Sequence, residues 1–321
     1  MMITALALVA LGLLILAGGG ELLVRGATGL ARLAGLSPAV IGLTVVALGT
    51  SLPELVVSVM AAVRGQPDIA MGNVVGSNLA NITLILGLTA IITPLPILGN
   101  VVKWEWPFLF LVTLACAWLV QDGFLSRPES LGFLVALALF IGWMVHLSRA
   151  EATPVEKEEF REEIQSRALR PRLGPAGTAV IATVGGMALL VVGGRFLVDG
   201  AVRLAEMAGM TPRVIGLTIV AVGTSAPEIA TSVVAAVRKH TDVAVANLIG
   251  SNVMNTLGIL GATGAVTALP VSPALAGMDM AWMVGATLLI FPLMRIGMRV
   301  SRWNGVVLVG LYAVYLWRVV G

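Results

Sequence analysis

The sequence predicts an all-α polytopic membrane protein, ten transmembrane helices in two inverted five-helix repeats, and three observations carry that expectation. Apolar residues make up 58% of the 321 and charged residues 12%, against about 45–50% and about 25% in soluble domains. Mean hydropathy is +0.99. Ten apolar runs each approach the ~20 residues that a helix needs to cross a bilayer, and a block near the start of the chain recurs without a gap at an offset of 174 residues.

Composition excludes whole classes of function. Twenty basic and 17 acidic residues cannot clothe two water-soluble domains of this size. The one cysteine, Cys116, lies inside an apolar run and removes disulfide frameworks, Cys-ligated zinc and iron–sulfur clusters. Two histidines leave little for imidazole metal sites. The net charge of +3 is spread over short loops with no aromatic-basic patch, so no nucleic-acid partner is expected. The run from Ile3 to Ala17 has no basic leader and no Ala-x-Ala-like site, and reads as a mature helix rather than a signal peptide.

The expected spans are 3–32, 38–64, 68–93, 104–121, 128–147, 176–208, 213–237, 242–268, 275–295 and 303–320. Between the fifth and sixth lies the only strongly polar stretch, containing EKEEFREEIQSR, whose mixed charges read as a solvated helix. The chain therefore divides into a first five-helix repeat at 1–148, a linker at 149–175 and a second repeat at 176–321. Pro38–Gly87 aligns with Pro212–Gly261 throughout, and Gly19-Gly20 and Gly26-Ala27 align with Gly193-Gly194 and Gly200-Ala201. Five is odd, so the second copy starts from the opposite side of the membrane and the repeat is inverted. Fourteen of the 20 Lys and Arg fall on the linker's side, which places the linker in the cytoplasm and both termini outside a cell membrane.

Two spans in each half carry polar groups at mid-membrane depth. In the second span Thr44, Ala47, Thr50, Ser51, Glu54 and Ser58 share a stripe at helical spacing, and in the third Asn73, Ser77 and Asn81 are four apart. Their repeat partners are Thr218, Ala221, Thr224, Ser225, Glu228 and Ser232, then Asn247, Ser251 and Asn255. Lipid accepts no such stripe, so the two must face each other. A carboxylate at the bilayer centre costs ~2.5–3.5 kcal/mol or more, and no Lys or Arg in these spans lies at matching depth. Hard oxygen donors without sulfur or imidazole suit Na⁺ and Ca²⁺ rather than zinc or copper. Pro53 and Pro227, each before a glutamate, remove a backbone donor and free carbonyls near Gly49-Thr50 and Gly223-Thr224.

Blander readings stand beside these. Single Ser and Thr in membrane helices more often pack or bond back to their own helix. Gly76-Ser77-Asn78 and Gly250-Ser251-Asn252 can serve as close helix contacts. Glu21/Arg25 and Arg195/Asp199 are i,i+4 pairs expected to neutralise each other. Asp68 and Asp242 read as caps or first-turn acids. Asp279 finds no repeat partner in clean register and stays unassigned.

The stretches ALGTSLPEL with GNVVGSNLANITLILG, and AVGTSAPEI with ANLIGSNVMNTLGILG, resemble the two signature repeats of the sodium/calcium exchanger family, prokaryotic type, within the cation/calcium antiporter superfamily. The resemblance implies ten helices in inverted repeats, four ion sites between the second, third, seventh and eighth helices, and first and sixth helices that slide to alternate access. It implies Ca²⁺ bound by Glu54 and Glu228 with the Thr50 and Thr224 carbonyls. Outer and inner Na⁺ sites would use Ala47, Thr50, Ser51 and Ser77, and Ala221, Thr224, Ser225 and Ser251, with Asn81 and Asn255 lining the middle. In the potassium-dependent branch, and in some microbial members, the position of Asn255 is Asp, so this chain departs from the K⁺-coupled pattern.

The expected activity is a Na⁺/Ca²⁺ antiporter, most simply a monomer in the lipid bilayer, moving Ca²⁺ outward with no enzymatic reaction and no cofactor beyond its two cargo ions. A proton-coupled Ca²⁺ antiporter is the runner-up, since the stripes hold neither His nor closely paired acids. An intramembrane protease would need paired Asp or Ser–His, and His146 and His240 sit at span ends. A channel is disfavoured because conduction requires weak exit.

Overall fold

The computed structural model describes residues 2–33, 49, 51–97, 99, 101–151, 175–237 and 241–320. They form ten helical segments: α1, Met2–Leu33; α2, Leu52–Val63; α3, Pro67–Ile92; α4, Val101–Asp122; α5, Arg127–Glu151; α6, Pro175–Ala208; α7, Pro212–Thr224 then Ala226–Val237; α8, Thr241–Val253 continuing through Met254–Ile259 and Leu260–Val266; α9, Leu275–Met298; and α10, Arg302–Val320. Six of them are long and apolar enough to cross a membrane, and α7 is a seventh if its two parts count as one span. The upstream part of the expected second span, 38–48, and most of the expected linker, 152–174, lie outside the described residues.

Start signals in the sequence act locally. Pro67 and Pro212 occupy first helical turns, where a missing N–H costs nothing. Asp68 sits in the first turn of α3, as its position suggested. Thr211 caps α7 by accepting from the Val214 N–H at 3.3 Å. Ser126 and Glu129 bond reciprocally at the head of α5, a capping box.

The 174-residue offset runs beyond the block where sequence identity is strong. Wide π-type turns occur at Ala80–Ile85 and Met254–Ile259, and again at Val101–Glu105 and Leu275–Asp279. Each pair is related by that offset. Asp279 therefore does have a counterpart, Glu105, which sequence comparison missed because the flanking residues differ. Two short antiparallel ladders follow the same symmetry: β1, Leu95–Pro96, with β4, Arg299–Val300, and β2, Phe124–Leu125, with β3, Leu269–Pro270. Each joins two loops that five alternating crossings per repeat put on one side of the membrane.

The core is built on α3. Every residue from Ile69 to Thr83 is buried, whereas α1 and α6 are mostly outward-facing. Leu14, Leu111 and Leu139 are exposed on the outer surface, where lipid is the solvent that accepts them. The α1–α6 pair is antiparallel and very close. A Cβ at Gly12 would lie 2.6 Å from the Leu197 backbone nitrogen, one at Gly193 2.9 Å from that of Leu16, and one at Gly200 2.8 Å from that of Val9. These glycines, with Gly19, Gly26 and Gly186, recur every seven residues and let two backbones touch over their length. They hold α1 to α6. Gly20 and Gly194 are the ones that turn to α2, against Pro53 and Val56.

Ion pairs partly correct the sequence reading. Glu21 and Arg25 do pair on the surface at 2.6 Å. Asp199 instead leaves Arg195 and bonds Arg64, at the end of α2, because α6 packs across α2 and brings that guanidinium closer. Asp279, fully buried, receives both Nε and Nη2 of Arg213 at 2.6 and 2.9 Å and the Tyr315 hydroxyl at 3.3 Å. This fork ties the start of α7 to α9 and α10 and accounts for a carboxylate the sequence left unassigned. An Asp279→Ala protein should lose stability by about 3–5 kcal/mol, because the guanidinium is left largely buried without its anion. Thermal unfolding in detergent checks this, and Asp279→Asn, which keeps an acceptor, should lose less.

Candidate functional site

The site forms where the start of α2 meets the break in α7. In α7 the two parts meet at Ser225 with a bend of 45°. Pro227 cannot donate to the Gly223 carbonyl, so the helix cannot run straight through. In α2 the helix starts at Leu52 after a turn at Ser51, with Pro53 in its first turn. Each of these places puts a serine hydroxyl opposite the glutamate of the other repeat. Ser225 Oγ donates to Glu54 Oε1 at 3.1 Å, and Ser51 Oγ donates to Glu228 Oε1 at 3.4 Å. Both glutamates are 0% exposed. The exchange obeys the repeat symmetry and ties the halves together at their most costly groups.

Around this pair α3 and α8 supply amides and hydroxyls. Asn73 donates to the Glu54 backbone carbonyl at 3.2 Å and to Ser58 Oγ at 2.9 Å, and Asn247 donates to Ser232 at 3.3 Å in the matching place. Thr224 donates to Asn73 Oδ1 at 3.0 Å. Ser77 donates to the Ala221 carbonyl at 3.3 Å. That contact needs the close approach at Gly76, where a Cβ would lie 2.6 Å from the Leu217 carbonyl oxygen. At Gly76-Ser77-Asn78 the glycine makes the close helix contact and its two neighbours are buried polar groups.

The structure brings Glu54, Glu228, Ser51, Ser225, Thr224, Ala221 and Ser77 into one bonded cluster. Asn81, Ser251 and Asn255 are buried beside it on the π turns and the helix before them. Ser251 Oγ, both Asn255 side-chain polar atoms, Asn81 Oδ1 and Glu54 Oε2 have no hydrogen-bond partner among the described residues. Thr218 is half-buried and bonds back to the Val214 carbonyl at 2.7 Å, the bland role foreseen for such residues. Thr44, Ala47 and Thr50 lie outside the described residues.

Sequence reasoning underrated three residues: Asn78, Asn252 and Thr256. All are buried and mutually bonded, with Asn78 donating to Thr256 Oγ1 at 2.9 Å. The register of Asn78 with Asn252 was a usable signal, while Thr256 aligns with Ile82 and gave none. No group of three or more His, Cys, Asp or Glu that could hold a metal occurs among the described residues. The donor set is two carboxylates surrounded by amide, hydroxyl and carbonyl oxygens, which is the ligand chemistry of hard cations. Ser51→Ala and Ser225→Ala should each destabilise the ion-free protein by about 1–3 kcal/mol, since each leaves a buried carboxylate oxygen short of a donor. Thermal unfolding in buffer stripped of Na⁺ and Ca²⁺ measures both, and similar losses are expected from the two symmetric positions.

The model of the sodium/calcium exchanger protein family matches residues 4–146 and 178–321. The chain is 38% identical over 319 residues to a putative antiporter, CaxA, of Alkalimonas amylolytica, covering 98% of each. It is 30% identical to the sodium/calcium exchanger MaX1 of Methanosarcina acetivorans, covering 95% of each. Among solved structures, the sodium-calcium exchanger NCX_Mj soaked with Na⁺ and Sr²⁺ superposes with a TM-score of 0.67 at 30% identity, over 98% of both chains.

Proposed function

The chain belongs to the sodium/calcium exchanger family, and we propose that it exchanges Na⁺ for Ca²⁺ across the cell membrane by alternating access. The observation that carries this is the reciprocal pair of Glu54 and Glu228, each fully buried and each bonded to a serine from the opposite repeat. Two buried carboxylates match the charge of one Ca²⁺. The flanking neutral oxygens of Ser77, Asn81, Thr224, Ser251 and Asn255, with those of Thr50 and the carbonyls at 47 and 221, would then divide among Na⁺ sites. The ions are cargo, and the family is one of transporters rather than enzymes.

The site is framed so that access can alternate. The start of α2 and the break in α7 meet at the glutamate pair, and α1–α6 lies against α2 as one closely packed pair. That pair would slide over the core to open one face and then the other. The proposed topology has repeats at 1–148 and 176–321, the linker at 149–175 in the cytoplasm and both termini outside, and a single chain completes the transport path.

Glu54→Gln and Glu228→Gln should each abolish Ca²⁺ exchange in proteoliposomes while leaving a folded protein, because each removes one of two charges that balance the divalent ion. Full Ca²⁺ transport by either folded variant would refute the site. The same vesicles separate the coupling ions: uptake should follow an imposed Na⁺ gradient, and uptake that follows only a proton gradient would assign the proton-coupled reading.

Charge accounting gives a second test. With both glutamates ionised, a Ca²⁺-loaded site sums to −2 + 2 = 0, while three Na⁺, the number implied by the family, give −2 + 3 = +1. Asn255 cannot add a charge. One turnover therefore moves net charge, and flux should respond to clamped membrane voltage, with one elementary charge worth ~2.3 kcal/mol per 100 mV. It should also run without K⁺. Voltage-insensitive flux, or flux lost when K⁺ is withdrawn, would overturn this part.

A further inference from the structure

The amide of Asn252 is the fixed link in a short chain of hydrogen bonds that crosses from α8 to the π turn of α3. Asn252 Nδ2 donates to the backbone carbonyl of Asn78 at 3.1 Å. A backbone carbonyl can only accept, so this bond fixes which end of the Asn252 amide faces it. Its Oδ1 must then face the other way, where it accepts from Asn81 Nδ2 at 2.9 Å. The orientation of Asn81 is thereby dictated in turn. Its NH₂ is used, and its Oδ1, buried and without a partner among the described residues, is the atom left to offer.

We propose that Asn252 is a positioning residue that holds the Asn81 amide with its oxygen free for the transported cation. The point rests on the reading of Asn81 as a cation ligand. An unrestrained amide presents NH₂ or oxygen about equally, and the NH₂ end repels a cation. Asn252 removes that choice before the ion arrives, as preorganised ligands require. The repeat-related half is wired differently. The partner of Asn252 is Asn78, which spends its Nδ2 on Thr256 Oγ1, and both polar atoms of the Asn255 side chain are unpartnered among the described residues. One central amide is thus oriented by the protein and the other adjusts to the ion.

The test compares Asn81→Ala, Asn252→Ala and the double variant as folded proteins in detergent. Ca²⁺ affinity is measured by calorimetry, and Ca²⁺-minus-ion-free infrared difference spectra are recorded on protein with ¹³C-labelled asparagine. Asn252→Ala should weaken Ca²⁺ binding about tenfold, the scale of one lost orienting hydrogen bond, and the double variant should bind no worse than Asn81→Ala alone. The Ca²⁺-induced shift of the Asn81 carbonyl band, assigned by its loss in Asn81→Ala, should also fade in Asn252→Ala while the glutamate carboxylate shift persists. A purely structural role would not separate those two bands. Additive losses in the double variant, or an intact Asn81 band in Asn252→Ala, would overturn the positioning role alone. Undiminished affinity in Asn81→Ala would remove Asn81 from the ligand set, and the proposal with it.

Discussion

The constraint on which the rest of the structure depends is the burial of two carboxylates, Glu54 and Glu228, inside an apolar bundle. An ionised carboxylate in such surroundings is unstable unless donors or cations meet it. The helix that carries Glu228 is broken just upstream, the one that carries Glu54 begins just upstream at Leu52, and each place presents a serine to the opposite glutamate. This meeting in turn requires α3 to lie against α7 closely enough for Ser77 to reach the Ala221 carbonyl, and only glycine at position 76 allows it. A local electrostatic problem thus sets the break in α7, the meeting of α2 with it and the small residues at the contacts.

Much of this was legible in the sequence because duplication amplifies weak signals. A lone serine in an apolar helix says little, but Ser51 and Ser225 at one offset, each three residues before a glutamate, mark a site. Burial of Glu54, Glu228, Ser77, Ser251, Asn81 and Asn255 followed from their depth in apolar spans, and the break in α7 followed from Pro227. What stayed hidden depends on long-range packing. A π turn widens one turn of helix when neighbours on several sides demand it, and no residue preference announces it. The choice of Arg64 over Arg195 by Asp199 likewise depends on how α6 lies across α2. The Arg213–Asp279–Tyr315 fork joins residues 66 and 36 positions apart, on elements whose approach no local pattern encodes.

Symmetry explains what the halves share, and departures from it carry the differences. The position of Arg213 corresponds in the first repeat to Ala39, and that of Asp279 to Glu105. An alanine has no guanidinium to offer, so the buried fork belongs to the second half alone and anchors the start of α7. The central amides diverge in the same way, with Asn81 oriented from α8 and Asn255 unpartnered among the described residues. Two copies of one ancestral unit have thereby become two unequal walls around a site whose charged groups remain symmetric.

The α1–α6 pair shows how such a site can be covered without being sealed. Glycines every seven residues bring the two backbones into contact along their length, and a side chain at any of them would meet the opposite backbone. The pair's contacts with the core are made through side chains: a Cβ at Gly20 would lie 3.7 Å from Pro53, one at Gly194 2.9 Å from Val56 and one at Gly223 2.5 Å from Leu13, and a partly exposed ion pair joins Asp199 to Arg64. An ion pair of that exposure contributes about 0–1 kcal/mol, which is small beside the cost of prising apart the interlocked backbones. The pair is therefore held together through backbone contacts and to the core through side-chain contacts. Pro53 and Val56 flank Glu54, so any displacement along that seam is felt first beside the carboxylate.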